Sequence, residues 1–274
     1  MLYKINILKT NIAKELKALD EEFDIEDFIN HKSKDITRNY SPFEYVIIDD
    51  FFTKQAYNTL CAFFSDVYSR GVVNEDSDER LHLFNRVKYP YDGYVKPIFP
   101  YENSISDILF SNKFNLYISS LFKRPTKKTI APAFHFHPKG DRTGWVHSDY
   151  SMMGFSSSMT LPNGIISHTR KNSSCKKDIF EKRAIAVIIF FDNDLNDNDG
   201  GGVGLYLNLN DKDPNFIVLP KNNRMFAFSV SPKSYHAFQT NLKDRKSLIF
   251  WLHIDNEWCI NKFGNKKDTD ENEN

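Results

Sequence analysis

The sequence lacks a cysteine framework, a long apolar run and an excess of charge of either sign. Its three cysteines are far apart and form no CxxC pair, so neither a disulfide scaffold nor a zinc knuckle is expected, and a reducing cytoplasm fits best. No stretch approaches the roughly 18 consecutive apolar residues of a membrane helix, and no secretory signal is apparent. Lys plus Arg equals Asp plus Glu at 36 each, so no overall field favours nucleic acid or an anionic membrane. The composition therefore fits a small or neutral partner at least as well as a polyanion.

The chain of 274 residues is predicted to form a helical extension with a linker (1–40), one domain (41–258) and a polar tail (259–274). Apolar residues spaced three and four apart predict helices over 5–31, 54–69 and 104–122. From residue 129 onward, short runs of Ile, Val and Phe between Gly, Asn, Asp and Pro predict an antiparallel jelly roll over about 129–258. The predicted fold class is α+β, mainly β. The Ser- and Lys-rich segment 151–182 is interpreted as a lid-like insertion or substrate loop, with a disordered segment as the alternative.

Three residues form the principal candidate site. His147 and Asp149 are two residues apart, and His236 follows in a later strand-like segment. Residues i and i+2 of a strand share a face, so this spacing can direct an imidazole and a carboxylate at one ion. Two imidazoles and one carboxylate hold the metal of non-haem iron(II) oxygenases. Since an isolated His-x-Asp pair is more often a surface hydrogen bond, the neighbouring motifs must decide.

A second group of residues lies beyond the distal histidine. Arg245 follows His236 by nine residues, and Ser247 is two positions further on. A guanidinium can donate two charge-assisted hydrogen bonds to a carboxylate, and a hydroxyl can add a third. A ligand that chelates iron at one end and presents a carboxylate at the other would fit between the two groups. 2-Oxoglutarate is such a ligand.

In combination these residues resemble the Fe(II)- and 2-oxoglutarate-dependent dioxygenases, specifically the prolyl-4-hydroxylase-like branch. The resemblance covers roughly residues 130–258, with a looser match over 42–70. Its matching stretches are 137–149, 188–193, 199–206 and 236–239, together with Arg245 and Trp251. It implies a double-stranded β-helix (jelly-roll) core with the N-terminal helices packed on one sheet.

The resemblance also implies roles for individual residues. His147, Asp149 and His236 would bind iron, and Arg245 would bind the distal carboxylate of 2-oxoglutarate. Trp251 and His137 would line the co-substrate pocket. The implied cofactors are Fe(II), 2-oxoglutarate and O2, with ascorbate as an optional addition.

Two positions bear on how the family pattern applies. Where many relatives place a tyrosine that hydrogen-bonds 2-oxoglutarate, this sequence has His137 and Phe190, so Ser247 is expected to supply the hydroxyl. Asp149 is present, whereas related halogenases have Ala or Gly there. The sequence therefore favours hydroxylation, or a related oxidation such as desaturation, over chlorination.

Several other features receive structural interpretations. His135 shares a strand face with His137, and a pocket-lining role is favoured over a second metal pair; His82, His168 and His253 are expected in ordinary core or solvent positions. The glycines 200–204 lack the context of a nucleotide loop, and the acidic run 192–199 is interpreted as a solvated loop rather than a calcium site. The candidate substrate contacts, chosen by proximity, are Arg142, Trp145, Tyr150, Met153, Arg170 and Tyr206.

Three functions stay open at this point. The leading hypothesis is a cytoplasmic hydroxylase of a small molecule, such as an amino acid, a sugar or a natural-product intermediate, which releases succinate and CO2. The first alternative is a protein or peptidyl hydroxylase of the prolyl type, and the second is a cupin-like metal-binding protein without oxygenase activity. No nucleic acid or membrane partner is expected, and the sequence does not decide between a monomer and a homodimer.

Overall fold

The computed structural model describes residues 24–30, 36–73, 83–87, 93–168 and 175–265. Most of the helix predicted over 5–31 lies outside these residues, and the described part of that segment contains a short 3-10 helix at Ile25–Asp27. His82 and Arg170 also lie outside the described residues.

Four α-helices surround the strands. Their bounds are α1 Lys54–Ser69, α2 Ser104–Leu109, α3 Asn112–Phe122 and α4 Asn256–Phe263. The Thr53 side chain accepts a hydrogen bond from the backbone at the start of α1, as expected of an N-cap. The apolar faces of α1 and α3 are buried against the strands described next.

Fifteen strands are assigned within the described residues. In chain order they are β1 Ile36–Asn39, β2 Tyr45–Ile48, β3 Val72–Val73, β4 Phe84–Val87, β5 Gly93–Pro97, β6 Thr129–Ile130, β7 Ala133–His137, β8 Met152–Thr160, β9 Ile166–His168, β10 Ile179–Phe190, β11 Val203–Leu205, β12 Phe216–Val218, β13 Arg224–Ser229, β14 His236–Phe238 and β15 Arg245–Ile254.

The strands form a 12-stranded sheet and a three-stranded sheet. The large sheet is built on the antiparallel order β2-β13-β10-β15-β7-β5, and β8, β9 and β6 form a ribbon that also links β10 to β15. The small sheet has the order β12-β11-β14. A β-bridge between His147 and His236 adds the segment around His147 to its β14 edge. Residues from both sheets line one cavity, so the sheets face each other and the predicted jelly roll is confirmed.

Helices α1 and α3 pack on the face of the large sheet that points away from this cavity. The Phe64 ring of α1 lies 5.4 Å from the Phe134 ring of β7. Likewise, the Phe114 ring of α3 lies 5.6 Å from the Phe250 ring of β15. The helical layer therefore supports the strands that carry the candidate site.

Two segments expected to be irregular contain strands. In the predicted linker, Ile36–Asn39 pairs antiparallel with β2. In the predicted lid-like insertion 151–182, the described residues form β8, β9 and the start of β10 within the large sheet, which corrects the lid interpretation. Both segments expose many side chains, so their polar composition reflects a solvated face, while backbone pairing to distant residues makes them strands.

The predicted tail begins too early. Helix α4 continues to Phe263, and Cys259 within it is buried. The Phe263 ring meets the Tyr150 ring edge-on at 5.8 Å. Because two residues of α4 pack against the domain, the domain extends past residue 258.

Among the described residues, no helix is long and apolar enough to cross a membrane.

Candidate active site

The structure brings His147, Asp149 and His236 together. His147 and His236 exchange backbone hydrogen bonds of 3.0 and 2.9 Å, so the bridge between their strands places the two imidazoles side by side, with ring centroids 4.5 Å apart. Asp149 follows two residues after His147. One potential ligand atom from each of the three residues lies within 4.8 Å of the others, which is the spacing that a single bound ion requires.

Hydrogen bonds fix the orientation of both imidazoles. The Nδ1 of His147 lies 3.0 Å from the Trp145 carbonyl oxygen, and the Nδ1 of His236 lies 3.0 Å from the Ser234 carbonyl oxygen. A carbonyl only accepts, so each Nδ1 carries the proton and each Nε2 presents its lone pair. Burial lowers the pKa of His236 to about 4, which keeps this ring neutral at neutral pH, as metal binding requires. This donor set fits Fe(II).

Asp149 is buried and ionised. Its Oδ2 accepts a hydrogen bond of 2.8 Å from the Trp251 indole, and its Oδ1 accepts one of 3.3 Å from Arg183 Nη1. Burial by itself raises the pKa of the carboxyl, but the electrostatic effects of His236, Arg183 and His147 and the hydrogen bond from Trp251 outweigh it and hold the pKa below its usual value. A carboxylate in this state is an anionic ligand for a hard or borderline cation.

Arg245 occupies the other end of the site. It is the first residue of β15 and is 2% exposed. Its guanidinium lies over the Phe190 and Phe238 rings, at 5.0 and 5.3 Å from their centroids. On the same face of β15, the Ser247 hydroxyl is buried and has no hydrogen-bond partner among the described residues. A buried cation beside such a hydroxyl fits the distal carboxylate of 2-oxoglutarate.

Two neutral histidines adjoin Arg245. Burial, reinforced by the charge of Arg245, lowers the pKa of His135 to about 3 and that of His137 well below its usual value. The His137 ring stacks on Phe238 at 4.1 Å, and its Nδ1 lies 3.2 Å from Asp141 Oδ2. Because neither imidazole is protonated near neutral pH, Arg245 supplies the positive charge at this end.

A cavity of about 290 Å³ connects the two ends. Of the predicted site residues, six line it: His137, His147, Asp149, His236, Arg245 and Trp251. Phe190 lies beneath the Arg245 guanidinium rather than at the cavity wall. Ser247 is two residues after Arg245 on the same face of β15, where it is buried. Trp145 is the described substrate-contact candidate that lines the cavity.

The remaining described candidates lie elsewhere. Arg142 is exposed, and Tyr150 is buried against α4. The Tyr206 hydroxyl accepts a hydrogen bond from Gln239, and Met153 contacts the Arg183 side chain. Proximity in sequence to the triad was therefore a poor guide to the lining of the cavity.

Arg183 is a site residue that the sequence analysis missed. It lines the cavity on β10, 34 positions from its carboxylate partner Asp149. A charged residue at the edge of the apolar run 184–191 was the available signal. The same pattern is typical of a charged residue at the solvated end of a strand. Only the pairing of β10 with β15 shows that the Arg183 side chain faces the cavity.

Residues 167–253 match the model of the 2OG-Fe(II) oxygenase superfamily. Over these residues the chain is similar to this superfamily. The match includes His236, Arg245, Ser247 and Trp251, which the structure places around the cavity. The family match implies Fe(II), 2-oxoglutarate and O2 as cofactors.

Solved structures with a similar fold include prolyl hydroxylases. A Pseudomonas putida prolyl-4-hydroxylase matches the structure with a TM-score of 0.53 and 14% identity, covering 76% of this chain and 91% of that chain. The viral collagen prolyl hydroxylase of Paramecium Bursaria Chlorella virus-1 gives a TM-score of 0.48 and 12% identity, covering 78% and 96%. At these identities the first likeness establishes the fold, a double-stranded β-helix. Comparison with curated proteins finds no match.

Proposed function

We propose that this 2OG-Fe(II) oxygenase hydroxylates an unactivated C–H bond of a small molecule and releases succinate and CO2. The observation that supports it is one cavity with the His147, Asp149 and His236 cluster at one end and the buried Arg245 at the other. Such a cavity suits a co-substrate that binds iron through one end and a guanidinium through the other.

In this proposal each side chain has a defined task. The Nε2 atoms of His147 and His236 and the carboxylate of Asp149 hold Fe(II), and Arg245 with Ser247 holds the distal carboxylate of 2-oxoglutarate. His137 and Trp251 shape the walls around the co-substrate, and Phe190 supports the Arg245 guanidinium from beneath. Iron, 2-oxoglutarate and O2 supply the oxidising power when bound. The chain positions the target carbon and excludes water, and no protein nucleophile or general base is needed.

The size of the cavity supports a small substrate. Ligand pockets span roughly 300–1,000 Å³, and the cavity of about 290 Å³ must hold 2-oxoglutarate as well. The reacting part of the substrate therefore has to be small, as in an amino acid, a sugar or a natural-product intermediate.

A second candidate is a peptidyl hydroxylase of the prolyl type. The fold shared with the Pseudomonas putida prolyl-4-hydroxylase favours it, since one prolyl ring presented at the cavity mouth would also satisfy the size limit. Incubation with small-molecule and peptide libraries, followed by mass spectrometry for one added oxygen atom, separates the two candidates. The cupin-like alternative without oxygenase activity is not supported by the family match.

The metal site is tested by substitution of its ligands. His147→Ala and Asp149→Ala are each expected to abolish Fe(II)-dependent conversion of 2-oxoglutarate to succinate and to weaken Fe(II) binding strongly, because each removes one of three protein ligands. Asp197→Asn, which removes an exposed loop carboxylate, is the matched control and should behave as the wild type. Undiminished Fe(II) affinity in both ligand variants would contradict the proposal.

A further inference from the structure

Arg183 brings a second positive charge into the cavity. Its side chain lines the cavity and is 19% exposed. The guanidinium stacks over the Trp251 ring at 4.5 Å, which fixes its plane. The proposed function assigns this cation no role in binding iron or 2-oxoglutarate.

The hydrogen-bonding capacity of Arg183 is poorly used. Nη1 donates to Asp149 Oδ1 at 3.3 Å, which is long for a charge-assisted bond. Nη2 contacts the Met153 sulfur at 3.6 Å, a weak acceptor. Nε is buried and has no partner within the described part of the chain. A guanidinium with five N–H donors therefore has room for a stronger acceptor.

The balance of charges in a site that holds iron and 2-oxoglutarate also indicates that Arg183 needs a further anion. Asp149 and one carboxylate of 2-oxoglutarate offset the two charges of Fe(II), and the second carboxylate of 2-oxoglutarate offsets Arg245. The carboxylate of Asp149, which contacts Arg183, would then neutralise the metal and not Arg183. Arg183 is left as a largely buried cation, which is costly unless an anion accompanies it.

Arg183 does not belong to the Arg245 end of the cavity. Trp251, which it covers, lies six residues along β15 from Arg245, about 20 Å at the rise of a β-strand. Trp251 and Arg183 both donate to Asp149. Arg183 thus stands next to the candidate metal ligands, where the substrate has to lie, and away from the predicted site of the distal carboxylate.

We propose that Arg183 binds a carboxylate of the substrate, so that this oxygenase acts on a small-molecule carboxylic acid. The inference rests on the proposed function and narrows its substrate class. Nη2 and the exposed edge of the guanidinium donate to the substrate carboxylate, while the Trp251 ring holds the guanidinium flat. An internal residue of a peptide carries no free main-chain carboxylate, so this arrangement disfavours a peptidyl substrate.

The test measures binding as well as turnover. The full-length protein is loaded with Mn(II) and saturating 2-oxoglutarate without O2, and is titrated calorimetrically with free L-amino acids and straight-chain monocarboxylic acids, each beside its primary amide. At least one acid is expected to bind much more tightly than its amide. Arg183→Gln should weaken that binding about ten- to hundredfold, the effect of losing a hydrogen bond to a charged group, and Arg183→Lys should fall between.

The controls separate this inference from other roles of Arg183. Lys233→Gln removes an exposed positive charge three residues from His236 and should bind the acid as the wild type does. Raising 2-oxoglutarate further must not displace the acid, because displacement would place the acid at Arg245.

Five outcomes overturn the inference: no acid binds the wild type, amides bind as well as acids, further 2-oxoglutarate displaces the acid, Arg183→Gln binds the acid normally, or Arg183→Gln instead loses Mn(II) or 2-oxoglutarate. The last result would make Arg183 a residue that positions Asp149 or the co-substrate. Failure of the wild type to bind Mn(II) and 2-oxoglutarate would contradict the proposed function itself.

Discussion

Asp149 receives hydrogen bonds from two different strands of the large sheet. Trp251 donates from β15 and Arg183 from β10, and these strands pair with each other directly. A metal-binding carboxylate oriented in this way loses little freedom when an ion arrives, because its rotation is already restricted. At the scale of single residues, the site is therefore organised around Asp149 and its donors.

Removal of the Trp251 indole N–H tests this organisation. Trp251→Phe keeps an aromatic ring but deletes the 2.8 Å bond to Asp149, and it is expected to weaken metal binding roughly 10- to 100-fold. Fe(II) or Mn(II) titration provides the measurement. Trp258→Phe, on α4 and outside the cavity, is the matched control. Equal metal affinity in the two variants would show that the indole does not orient the carboxylate.

Arg245 is predicted to control the affinity for 2-oxoglutarate. Arg245→Gln removes the buried charge and should weaken 2-oxoglutarate binding by about 1.5–3 kcal/mol, while Ser247→Ala should have a smaller effect because it removes one neutral donor. Both are measured by titration of the metal-loaded protein. Metal affinity should stay near the wild-type value, and thermal unfolding checks that each variant is folded. If Arg245→Gln binds 2-oxoglutarate normally, the co-substrate lies elsewhere.

Strand β15 contributes residues to the candidate site from one face and to the hydrophobic core from the other. Arg245, Ser247 and Trp251 alternate on its cavity face, and Phe250 on the opposite face packs against α3. The alternation follows from the two-residue repeat of a strand. The helices therefore stabilise the site without touching it.

A substitution on the far face of β15 should separate stability from ligand binding. Phe250 is fully buried, so Phe250→Ala is expected to lower the free energy of unfolding by about 3–5 kcal/mol through the cavity it creates. Phe250→Leu, which retains most of the volume, should cost less. Urea unfolding measures both. Below the unfolding transition, each variant should keep its affinity for the metal and 2-oxoglutarate, and a large loss of affinity would mean that the two faces are coupled.

The molecule as a whole buries neutral histidines between its two sheets. Burial lowers the pKa of His135 to about 3 and that of His236 to about 4, and it also lowers that of His137. The unfolded chain titrates these groups near a pKa of about 6.5. At acidic pH the unfolded state therefore binds protons that the folded state does not bind.

Linkage makes the metal-free protein less stable as the pH falls. Stability rises with pH wherever the unfolded state binds more protons, so the loss begins near pH 6.5 and continues to about pH 4 for His236 and about pH 3 for His135. Each such histidine contributes roughly 1 kcal/mol per pH unit within that window. Urea unfolding at pH 7 and pH 5 should show a clear decrease, and His135→Gln should reduce its slope. A free energy of unfolding that is equal at the two pH values would contradict these burial effects.

Much of the fold and the site was accessible from local patterns. The apolar spacing predicted α1 with Thr53 as its cap, and the change of period after residue 129 predicted the jelly roll. The His-x-Asp pair with His236 and Arg245 predicted the residues that the structure gathers around one cavity. The roles given to these residues stay proposals until the substitutions above are measured.

The sequence by itself determined the class of fold and the candidate metal ligands, because the periods of strands and helices, the His-x-Asp spacing and the motif around His236 are all local features. Tertiary structure decided that Ile36–Asn39 and 152–160 are strands, that α4 belongs to the domain, and that Arg183 faces Asp149. Each of these depends on contacts between residues far apart in the chain. Strand pairing brings such residues together, and the local sequence around each residue does not specify its distant partner.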